Sequence, residues 1–435
     1  MKLPYGVRNF AALITEGYFY IDRTDRIPLL ENLGKDLLFL RPRRFGKSLW
    51  LSTLMNYYDI AKADDFDRLF GPLAIGQNPT PLHNQYLVMK WDFSDIPAHG
   101  SLEQIEKALH EHINQWLQIF VDDYRPRLPA LPTEVTIHPG NALTSFHSLV
   151  AAVRRGGYKL YLFIDEYDNF ANEIMMGQQG DNQQRYQDLV RGEGLFKTLF
   201  KNIKSAGSGE GLDRVFMTGV SPIVMNDITS GDNITWHPAL NDLCGFRQEE
   251  VQGLVSAVVE HCGLSATKAD EVTELMHRFY SGYRFVLPDL DNMPKVYNPT
   301  LVFYFLAELQ KFGHYPDNML NSKWVTDYDK LVYISNHSTG QELLLDVLNE
   351  ATTLCVAEVG GRFGITDLLQ SEKQRDQLAS LLCYWGVLTV AGQTADERTV
   401  LAIPNLVVRK LYTDFILELT FPRPTGCIHW EEIKN

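Results

Sequence analysis

Gly46, Lys47 and Ser48 have the residue types and the order of a phosphate-binding loop. In such a loop a small residue lets backbone N–H groups turn toward phosphates, a lysine reaches the outer phosphates, and a hydroxyl group ligates Mg²⁺. The tripeptide ends the segment FLRPRRFGKSL at 39–49, between an apolar run at 37–40 and apolar residues at helical spacing. The segment therefore predicts a nucleotide site where a strand leads into a helix, whose N-terminus favours phosphate.

Arg41 departs from the usual form of this motif, G-x-x-x-x-G-K-[ST], because it occupies the position of the first glycine. Without its flanks, the GKS tripeptide could equally be an ordinary surface turn. At least one of Arg41, Arg43 and Arg44 is expected to pair with the nucleotide or with an acid such as Asp165 or Asp168, because adjacent unpaired guanidinium groups repel each other. The predicted nucleotide-binding loop comprises Arg41, Pro42, Arg43, Arg44, Phe45, Gly46, Lys47, Ser48 and Leu49.

Asp165 and Glu166 end a second apolar run, LYLFIDEYD at 160–168. The run is typical of a central parallel strand covered on both faces, as in a Walker B motif. Asp165 at the end of this strand can hold Mg²⁺, and Glu166 can orient or deprotonate the attacking water. The alternative is that the two acids are solvated residues of a turn. This alternative is less favoured because the chain also contains the phosphate-binding lysine, Lys47.

Two further apolar runs, at 86–93 and 214–220, predict additional strands of the same sheet. Thr218 lies near the end of the second run, at the carboxyl edge where open α/β sheets bind ligands. A hydroxyl group there could contact a γ-phosphate or the attacking water. The alternative is a β-branched residue whose hydroxyl makes a local backbone hydrogen bond.

The first 35 residues form a lead-in to this core. A short helix is predicted at 9–16 and a strand at 18–21. Tyr20, Ile21 and Asp22 either border the nucleobase or pack in the core, and core packing is the favoured interpretation.

The region from about residue 246 to 309 is predicted to be helical and to form a lid over the nucleotide. Arg284 within it is a candidate phosphate contact, because the planar guanidinium group suits oxyanions; otherwise it is a surface arginine. Asn298 followed by Pro299 is a helix-start signal.

The C-terminal part has a winged-helix-like order of helix, helix, hairpin, helix. Its last elements are predicted as a helix at 377–384, a hairpin of 387–390 with 399–403, and a helix at 407–417. The candidate recognition helix has little positive charge, with only Lys373 and Arg375 just before it. We therefore favour a regulatory or assembly role over DNA binding.

Composition narrows the class of protein. A chain of 435 residues with 45% hydrophobic residues can form two or three globular domains. A formal net charge of −14 argues against an extended nucleic-acid-binding surface, although a local basic groove would be compatible with it. Five dispersed cysteines without a C-x-x-C pair are typical of a reducing cytoplasm, and no apolar run approaches the length of a membrane span.

With these motifs in place, the chain resembles the AAA-ATPase-like family, whose members are often joined to a PD-(D/E)XK nuclease-like domain. The resemblance rests on seven segments that occur in order: YFYIDRT (18–24), FLRPRRFGKS (39–48), FIDEYD (163–168), MTGVSPI (217–223), YSGYRF (280–285), VYNPTLV (296–302) and YWGVLTV through LAIPNLVVR (384–409). In this family RPRRFGK[ST] replaces the glycine-first loop, so Arg41 is what the resemblance implies. A prokaryotic cytoplasmic setting is implied in the same way.

The nuclease-like domain has no counterpart in the sequence. Residues 431–434, EEIK, have an E-x-K spacing but lack an upstream aspartate strand, and we expect a solvated tail. Nuclease activity is therefore not expected.

The expected fold is α/β: a P-loop NTPase core with a parallel sheet, a helical lid and a winged-helix-like C-terminal domain. The expected domains are 1–35, 36–245, 246–334 and 335–435. The expected function is Mg²⁺-dependent ATP hydrolysis by a switch or motor subunit that needs a protein partner or self-association. Alternatives are a non-hydrolysing nucleotide-binding scaffold and a nucleic-acid-remodelling ATPase with a separate nuclease. The expected catalytic residues are Lys47, Asp165, Glu166, Thr218 and Arg284, with Ser48 and Asp165 as metal ligands.

Overall fold

The structure is a computed structural model that describes most of the chain. The ranges outside the description are 98–99, 177–193, 208–210, 223–230, 287–292, 317, 320–327, 350–352, 362–373 and 421–435. The E-x-K tail at 431–434 and Lys373 lie outside the described residues.

A five-stranded parallel sheet forms the centre of the N-terminal half. Its strands are β1 (Asp36–Leu40), β2 (Leu87–Asp92), β3 (Leu160–Asp165), β4 (Leu212–Gly219) and β5 (Asp232–Asn233). Their order across the sheet is β2-β3-β4-β1-β5, and every neighbouring pair is parallel. The strands predicted near 37–40, 86–93, 160–168 and 214–220 are thus confirmed, with the third ending earlier, at Asp165. β4 lies between β1 and β3, so the strand that carries Thr218 separates the P-loop strand from the strand that carries Asp165.

Helices cover both faces of this sheet. They are α1 (Phe10–Thr15), α2 (Ile27–Leu33), α3 (Lys47–Tyr58), α4 (Phe66–Phe70), α5 (Ala74–Gln77), α6 (Leu102–Tyr124), α7 (Leu131–Glu134), α8 (Ala142–Arg155), α9 (Asn169–Met176) and α10 (Leu195–Gly207). Successive side chains of a strand point to opposite faces. Leu38 and Leu40 of β1 accordingly join the apolar cluster beneath α6 and α8, whereas Leu37 and Phe39 join the cluster beneath α3.

The strand predicted at 18–21 is wrong. These residues are not part of any strand in the structure. The Phe19 N–H group donates to the Lys2 carbonyl group, and the Tyr20 ring packs 5.6 Å from the Phe10 ring of α1. Aromatic residues at these positions favour extended backbone, but the segment lies against helices instead of joining the sheet.

Three helices follow the sheet and share an apolar cluster of their own: α11 (Gln248–His261), α12 (Ala266–Tyr280) and α13 (Pro299–Phe312). The predicted start of α13 is confirmed. The Asn298 side chain accepts hydrogen bonds from the N–H groups of Thr300 and Leu301, and Pro299 occupies the first turn.

The C-terminal part combines helices with a small antiparallel sheet. Its elements are α14 (Tyr328–Ser335), α15 (Ser338–Leu348), β6 (Leu354–Val356), α16 (Gln374–Tyr384), β7 (Thr389–Gln393), β8 (Thr399–Ala402) and α17 (Leu406–Thr420). The predicted hairpin and its flanking helices are confirmed, and the strand order is β6-β8-β7. Sequence analysis missed β6, because three residues are too few to show an alternating pattern. None of the described helices has the length and apolarity to cross a bilayer.

Candidate functional site

The backbone of the predicted phosphate-binding loop turns sharply between β1 and α3. Gly46, directly before α3, has a φ of +95°, and a Cβ atom there would meet no atom within 4 Å. The glycine is therefore required by its left-handed backbone and not by lack of space. Arg44 is also left-handed, with a φ of +67°, and its carbonyl group accepts a 2.7 Å hydrogen bond from the hydroxyl group of Thr300 at the start of α13.

Lys47 folds back over this loop. Its side chain is only 3% exposed, and Nζ donates to the carbonyl groups of Arg41 at 3.1 Å and Pro42 at 3.3 Å. The same atom lies 3.9 Å from Oε1 of Glu166. The structure thus brings together the lysine and the glutamate that the sequence placed more than a hundred residues apart. Ser48, the second residue of α3, is partly exposed beside the loop.

The Arg41 side chain points away from Lys47 into the protein interior. Its Nη1 atom donates to the carbonyl groups of Leu40 and Thr235, both at 2.8 Å, and Nη2 donates to the carbonyl group of Leu240 at 2.7 Å. Arginine has the donors to bond several carbonyl groups at once. Only the backbone carbonyl group of Arg41 faces Lys47.

Two aromatic rings enclose the Arg41 guanidinium group. It lies 4.4 Å from the centroid of the Phe39 ring and 4.2 Å from that of the Phe285 ring. Burial lowers the pKa of Arg41 to about 9. This environment favours a structural role for the side chain, which ties the P-loop strand to the segment before α13.

Arg43 extends toward the loop that follows β3. Its Nη2 atom donates to Oδ1 of Asn169 at 3.1 Å. Its charge also acts, as a minor contribution, to lower the pKa of Glu166. Direct pairing of one of the three arginines with phosphate or a carboxylate stays a prediction.

Asp165 is held by a neighbouring strand. Its carboxyl group is buried, and Oδ1 accepts a 2.5 Å hydrogen bond from Oγ1 of Thr218 on β4. The hydroxyl group of Thr218 therefore bonds a carboxylate across the sheet, unlike the local backbone bond considered as its alternative role.

A second charged pair lies at the carboxyl end of β2, and sequence analysis missed it. Lys90 Nζ donates to Oδ2 of Asp92 at 2.8 Å and lies 4.0 Å from Oδ2 of Asp165. Although burial acts in the opposite direction, Lys90 and Ser94 lower the pKa of Asp92. Asp92 ends β2 and lies in register with Asp165, so the position of an acid at a strand end was the available signal.

Glu166 has a strained backbone and a perturbed carboxyl group. Its φ of +52° is uncommon for a residue other than glycine and costs on the order of 1–3 kcal/mol. Burial raises the pKa of Glu166, the Lys47 ammonium group opposes this shift, and Asp168 and Asp165 add to it. The side chain keeps 22% of its surface exposed. A raised pKa suits a general base that works near neutral pH.

An apolar cleft adjoins the N-terminus of α3. Its lining includes Tyr20, Ile21, Phe45, Leu49, Trp50 and Phe303, together with Gly46 of the loop. Mostly apolar walls with a few polar groups are typical of small-molecule sites. Tyr20 and Ile21 therefore border this cleft. Asp22 does not line it, because its carboxylate accepts hydrogen bonds from Thr24 and from the N–H group of Ala74.

Arg284 lies between α12 and α13 and contacts β7 of the C-terminal part. Its N–H group donates to Oγ1 of Thr389 on β7 at 2.8 Å, and its carbonyl group accepts from the same hydroxyl group at 3.3 Å. Its Nε atom is buried and has no hydrogen-bond partner among the described residues. The ring of the preceding residue, Tyr283, packs 4.9 Å from the Phe45 ring of the loop.

The C-terminal domain also contacts the loop directly. A Cβ atom on Gly386, just after α16, would lie 2.9 Å from Cβ of Pro42. The indole N–H group of Trp236 donates to the Tyr384 hydroxyl group at 2.9 Å. Every residue of α16 from Leu378 onward is buried. The candidate recognition helix, for which the sequence favoured a regulatory or assembly role, is therefore largely an interior helix.

Candidate cation ligands in the described part of the chain do not form large clusters. No group of three or more His, Cys, Asp or Glu side chains there could hold a metal ion. The hydroxyl and carboxylate groups of Ser48 and Asp165 are the donor types that Mg²⁺ accepts, and phosphates and water commonly complete such a site.

Sequence comparison identifies two kinds of relative. A family model described as AAA-ATPase_like, "Predicted AAA-ATPase", matches residues 4–229. A protein of Azotobacter chroococcum mcd 1, described as an uncharacterized protein in the vnfD 5' region, is 25% identical over 446 residues, which cover 98% of this chain and 72% of that protein.

Three solved structures are similar at low identity. The ORC2 protein of Aeropyrum pernix in ADPNP–ADP complexes has a TM-score of 0.40 and 13% identity, over 94% of this chain and 98% of that chain. The ORC1 protein of Aeropyrum pernix in complex with DNA has a TM-score of 0.32 and 11% identity, over 95% of this chain and 98% of that chain. CDC6P from Pyrobaculum aerophilum has a TM-score of 0.30 and 10% identity, over 94% of this chain and 98% of that chain. These scores are too low to carry a functional argument.

Proposed function

The chain belongs to the AAA-ATPase-like family, and from this premise we propose that it binds ATP with Mg²⁺ and hydrolyses it. The observation that carries the proposal is the approach of Lys47 Nζ to within 3.9 Å of the Glu166 carboxylate. That approach joins a phosphate-binding lysine to a candidate base with a raised pKa.

Each residue of the site then has a distinct role. Lys47 exchanges its bonds to loop carbonyl groups for bonds to the outer phosphates. Ser48 and Asp165 would hold Mg²⁺, which when bound supplies charge neutralisation at the phosphates. Glu166 orients and deprotonates the attacking water. Thr218 keeps the Asp165 carboxylate in place.

The apolar cleft beside α3 is proposed to hold the nucleobase. It adjoins Gly46, so a nucleotide whose phosphates lie in the loop would extend its base toward Tyr20 and Ile21. Phe45 and Leu49 of the loop also line this cleft, and they would lie between the base and the phosphates.

A switch role is proposed from the contacts of the loop. Pro42 touches Gly386 of the C-terminal domain, and Phe45 packs on Tyr283 of the lid segment. Lys47 bonds the Pro42 carbonyl group at 3.3 Å. When phosphate replaces that carbonyl group as the partner of Lys47, the loop is free to shift, and both neighbouring domains respond.

The alternatives differ in what they require of the site. A non-hydrolysing scaffold has no need for a carboxylate at Glu166 with a raised pKa. A nucleic-acid-remodelling ATPase has less support, because the net charge is −14 and α16 is mostly buried. A cytoplasmic setting and a protein partner or self-association remain part of the proposal.

ATP turnover by the purified chain tests the proposal. Turnover should require Mg²⁺ and should be absent from the Lys47→Ala variant. If wild type binds ATP but stays as inactive as Lys47→Ala over a wide range of protein concentrations, hydrolysis by the chain alone or by its self-association is excluded and the scaffold is favoured. Stimulation by DNA that declines with salt would instead favour the remodelling alternative.

Hydrogen exchange tests the switch. Adding ATP and Mg²⁺ should change the protection of amides around Gly386 and Tyr283 in wild type, and should leave them unchanged in Lys47→Ala. Unchanged exchange at both positions in wild type, with nucleotide bound, would exclude the switch.

A further inference from the structure

A buried carboxylate beside the site has no role in the mechanism above. Asp168 is 1% exposed. Its Oδ1 atom accepts a 3.0 Å hydrogen bond from the Val220 N–H group. Its Oδ2 atom accepts bonds from the Ser221 N–H group at 2.8 Å, the Ser221 hydroxyl group at 2.9 Å and the Asn172 amide group at 2.8 Å. None of these four donors carries a charge, so the hydrogen bonds stabilise the carboxylate through oriented dipoles.

The bonds of Asp168 join two segments where the sheet no longer holds them. The pairing of β3 with β4 ends at Ile164 and Met217. Beyond that point the Tyr167 N–H group donates to the Thr218 carbonyl group at 3.0 Å, and the Tyr167 hydroxyl group donates to the Ser221 carbonyl group at 2.6 Å. Asp168 thus continues the connection between the carboxylate loop and the end of β4.

The packing around this connection leaves no spare room. A Cβ atom on Gly219 would lie 2.3 Å from Oδ1 of Asp168 and 2.6 Å from a ring carbon of Tyr167. The Gly219 carbonyl group accepts a 3.3 Å bond from the N–H group of Arg41, where the P-loop begins. Three segments of the proposed site therefore meet at Gly219.

We propose that Asp168 is a positioning residue for the hydrolysis of ATP, acting through Thr218; this rests on the proposed function. By fixing the backbone directly after Thr218, the carboxylate holds the threonine hydroxyl group on Oδ1 of Asp165. The same connection keeps Glu166 in its strained left-handed conformation, because strain of this kind persists only where the surroundings over-determine it.

A double-mutant cycle separates positioning from general stability. Asp168→Asn replaces one acceptor oxygen by an NH₂ group, which would face either the Val220 N–H group or the donors of Ser221 and Asn172. The variant should keep the ATP affinity of wild type and lower kcat by about 10–100-fold, the typical effect of losing a partner of a metal ligand. Thr218→Val should do the same, and the double variant should fall no further than the lower single variant.

Two matched variants keep the test decisive. Ser221→Ala removes one of four donors and should lower kcat in the same direction by less, if Asp168→Asn does not fold. Asp59→Ala removes a carboxylate whose Oδ1 atom accepts hydrogen bonds from the Ala61 N–H group and the Tyr124 hydroxyl group at the far end of α3. It should lower the melting temperature and leave kcat unchanged.

The outcomes separate the inference from the proposed function. Additive effects of Asp168→Asn and Thr218→Val on log kcat, or a lowered melting temperature with wild-type kcat, would overturn the role of Asp168 alone. If wild type has no turnover, the readout is the Mg²⁺ concentration that half-saturates ATP binding. About a tenfold increase in Asp168→Asn would support the inference, whereas no increase, or no Mg²⁺-dependent binding by wild type, would refute it.

Discussion

The hydroxyl group of Thr218 on β4 donates a 2.5 Å hydrogen bond to Oδ1 of Asp165 on β3. Both side chains are buried, so the bond is not replaced by water when it is lost. Because β4 also adjoins β1, a single residue links the carboxylate strand to the strand that leads into the P-loop. A shift of either strand would therefore move the Thr218 side chain.

Thr218→Val, which retains the shape but removes the hydroxyl group, should lower kcat by about 10–100-fold and raise the Mg²⁺ concentration needed for activity. Thr218→Ser, which keeps the hydroxyl group, should remain within a few-fold of wild type. Steady-state ATPase measurements over a range of Mg²⁺ concentrations test this. Wild-type kcat and Mg²⁺ dependence in Thr218→Val would show that the hydroxyl group is not required, and equal losses in the two variants would show that the fit of the whole side chain matters instead of this hydrogen bond alone.

Lys47→Ala should abolish ATP binding, because the lysine contacts the phosphates in both the ground state and the transition state. Glu166→Gln should bind ATP and retain it, with turnover lowered by about 10²–10⁴-fold. Equilibrium binding and single-turnover hydrolysis, measured on the same preparations, distinguish the two. Wild-type turnover in the glutamine variant would remove Glu166 from the mechanism.

The pH dependence of stability provides an independent test of Glu166. Burial raises its pKa in the folded protein, so the folded state binds the proton more tightly than the unfolded state. The contribution of this group to stability is therefore full below the ordinary glutamate pKa and is lost as pH rises through the higher folded value. Glu166→Gln cannot ionise, so its melting temperature should exceed that of wild type at neutral pH.

This difference in melting temperature should shrink as pH is lowered from 8 toward 5. Glu173→Gln, on an exposed position of α9, is the matched control and should show no comparable trend. A Glu166→Gln variant less stable than wild type at neutral pH would mean that the attraction of Lys47 outweighs burial.

Arg41→Met should lower the free energy of unfolding by about 1–3 kcal/mol, because carbonyl groups such as those of Thr235 and Leu240 lose their donors. ATP affinity should change little, since the side chain faces away from Lys47. Denaturant unfolding and ATP titration provide the two measurements. Arg41→Lys should also destabilise, because a lysine cannot reproduce the planar fork. Lost ATP affinity at unchanged stability would assign the side chain to the nucleotide instead.

Turnover by the isolated chain should be slow and should rise with protein concentration or with a partner. An arginine supplied to the γ-phosphate is worth roughly 10³–10⁵ in rate in related reactions, and Arg284 is the best candidate within the chain. ATPase rates over a range of protein concentrations, for wild type and Arg284→Ala, decide the matter. A fast rate that is independent of concentration and falls steeply in Arg284→Ala would mean that the chain completes its own site.

Short-range patterns determined the elements that were predicted correctly. The loop before α3, the acids at the end of β3, the cap of α13 and the hairpin of β7 and β8 each depend on residues close together in the chain. Backbone preferences, capping and strand alternation act over such distances. The sequence by itself therefore determined the fold class and most of the proposed catalytic residues.

The remaining features depend on contacts between residues that are distant in the sequence, and only the tertiary structure decided them. The direction of the Arg41 side chain depends on carbonyl groups at Thr235 and Leu240, and the position of Pro42 depends on Gly386. The 18–21 segment has strand-forming residues but lies against helices instead of in the sheet. Asp168 reads in the sequence as one more acid of a motif, yet its four donors come from a neighbouring strand end and from α9. A buried charged side chain must bond the polar groups that lie near it, and the packing of the whole chain determines which groups those are.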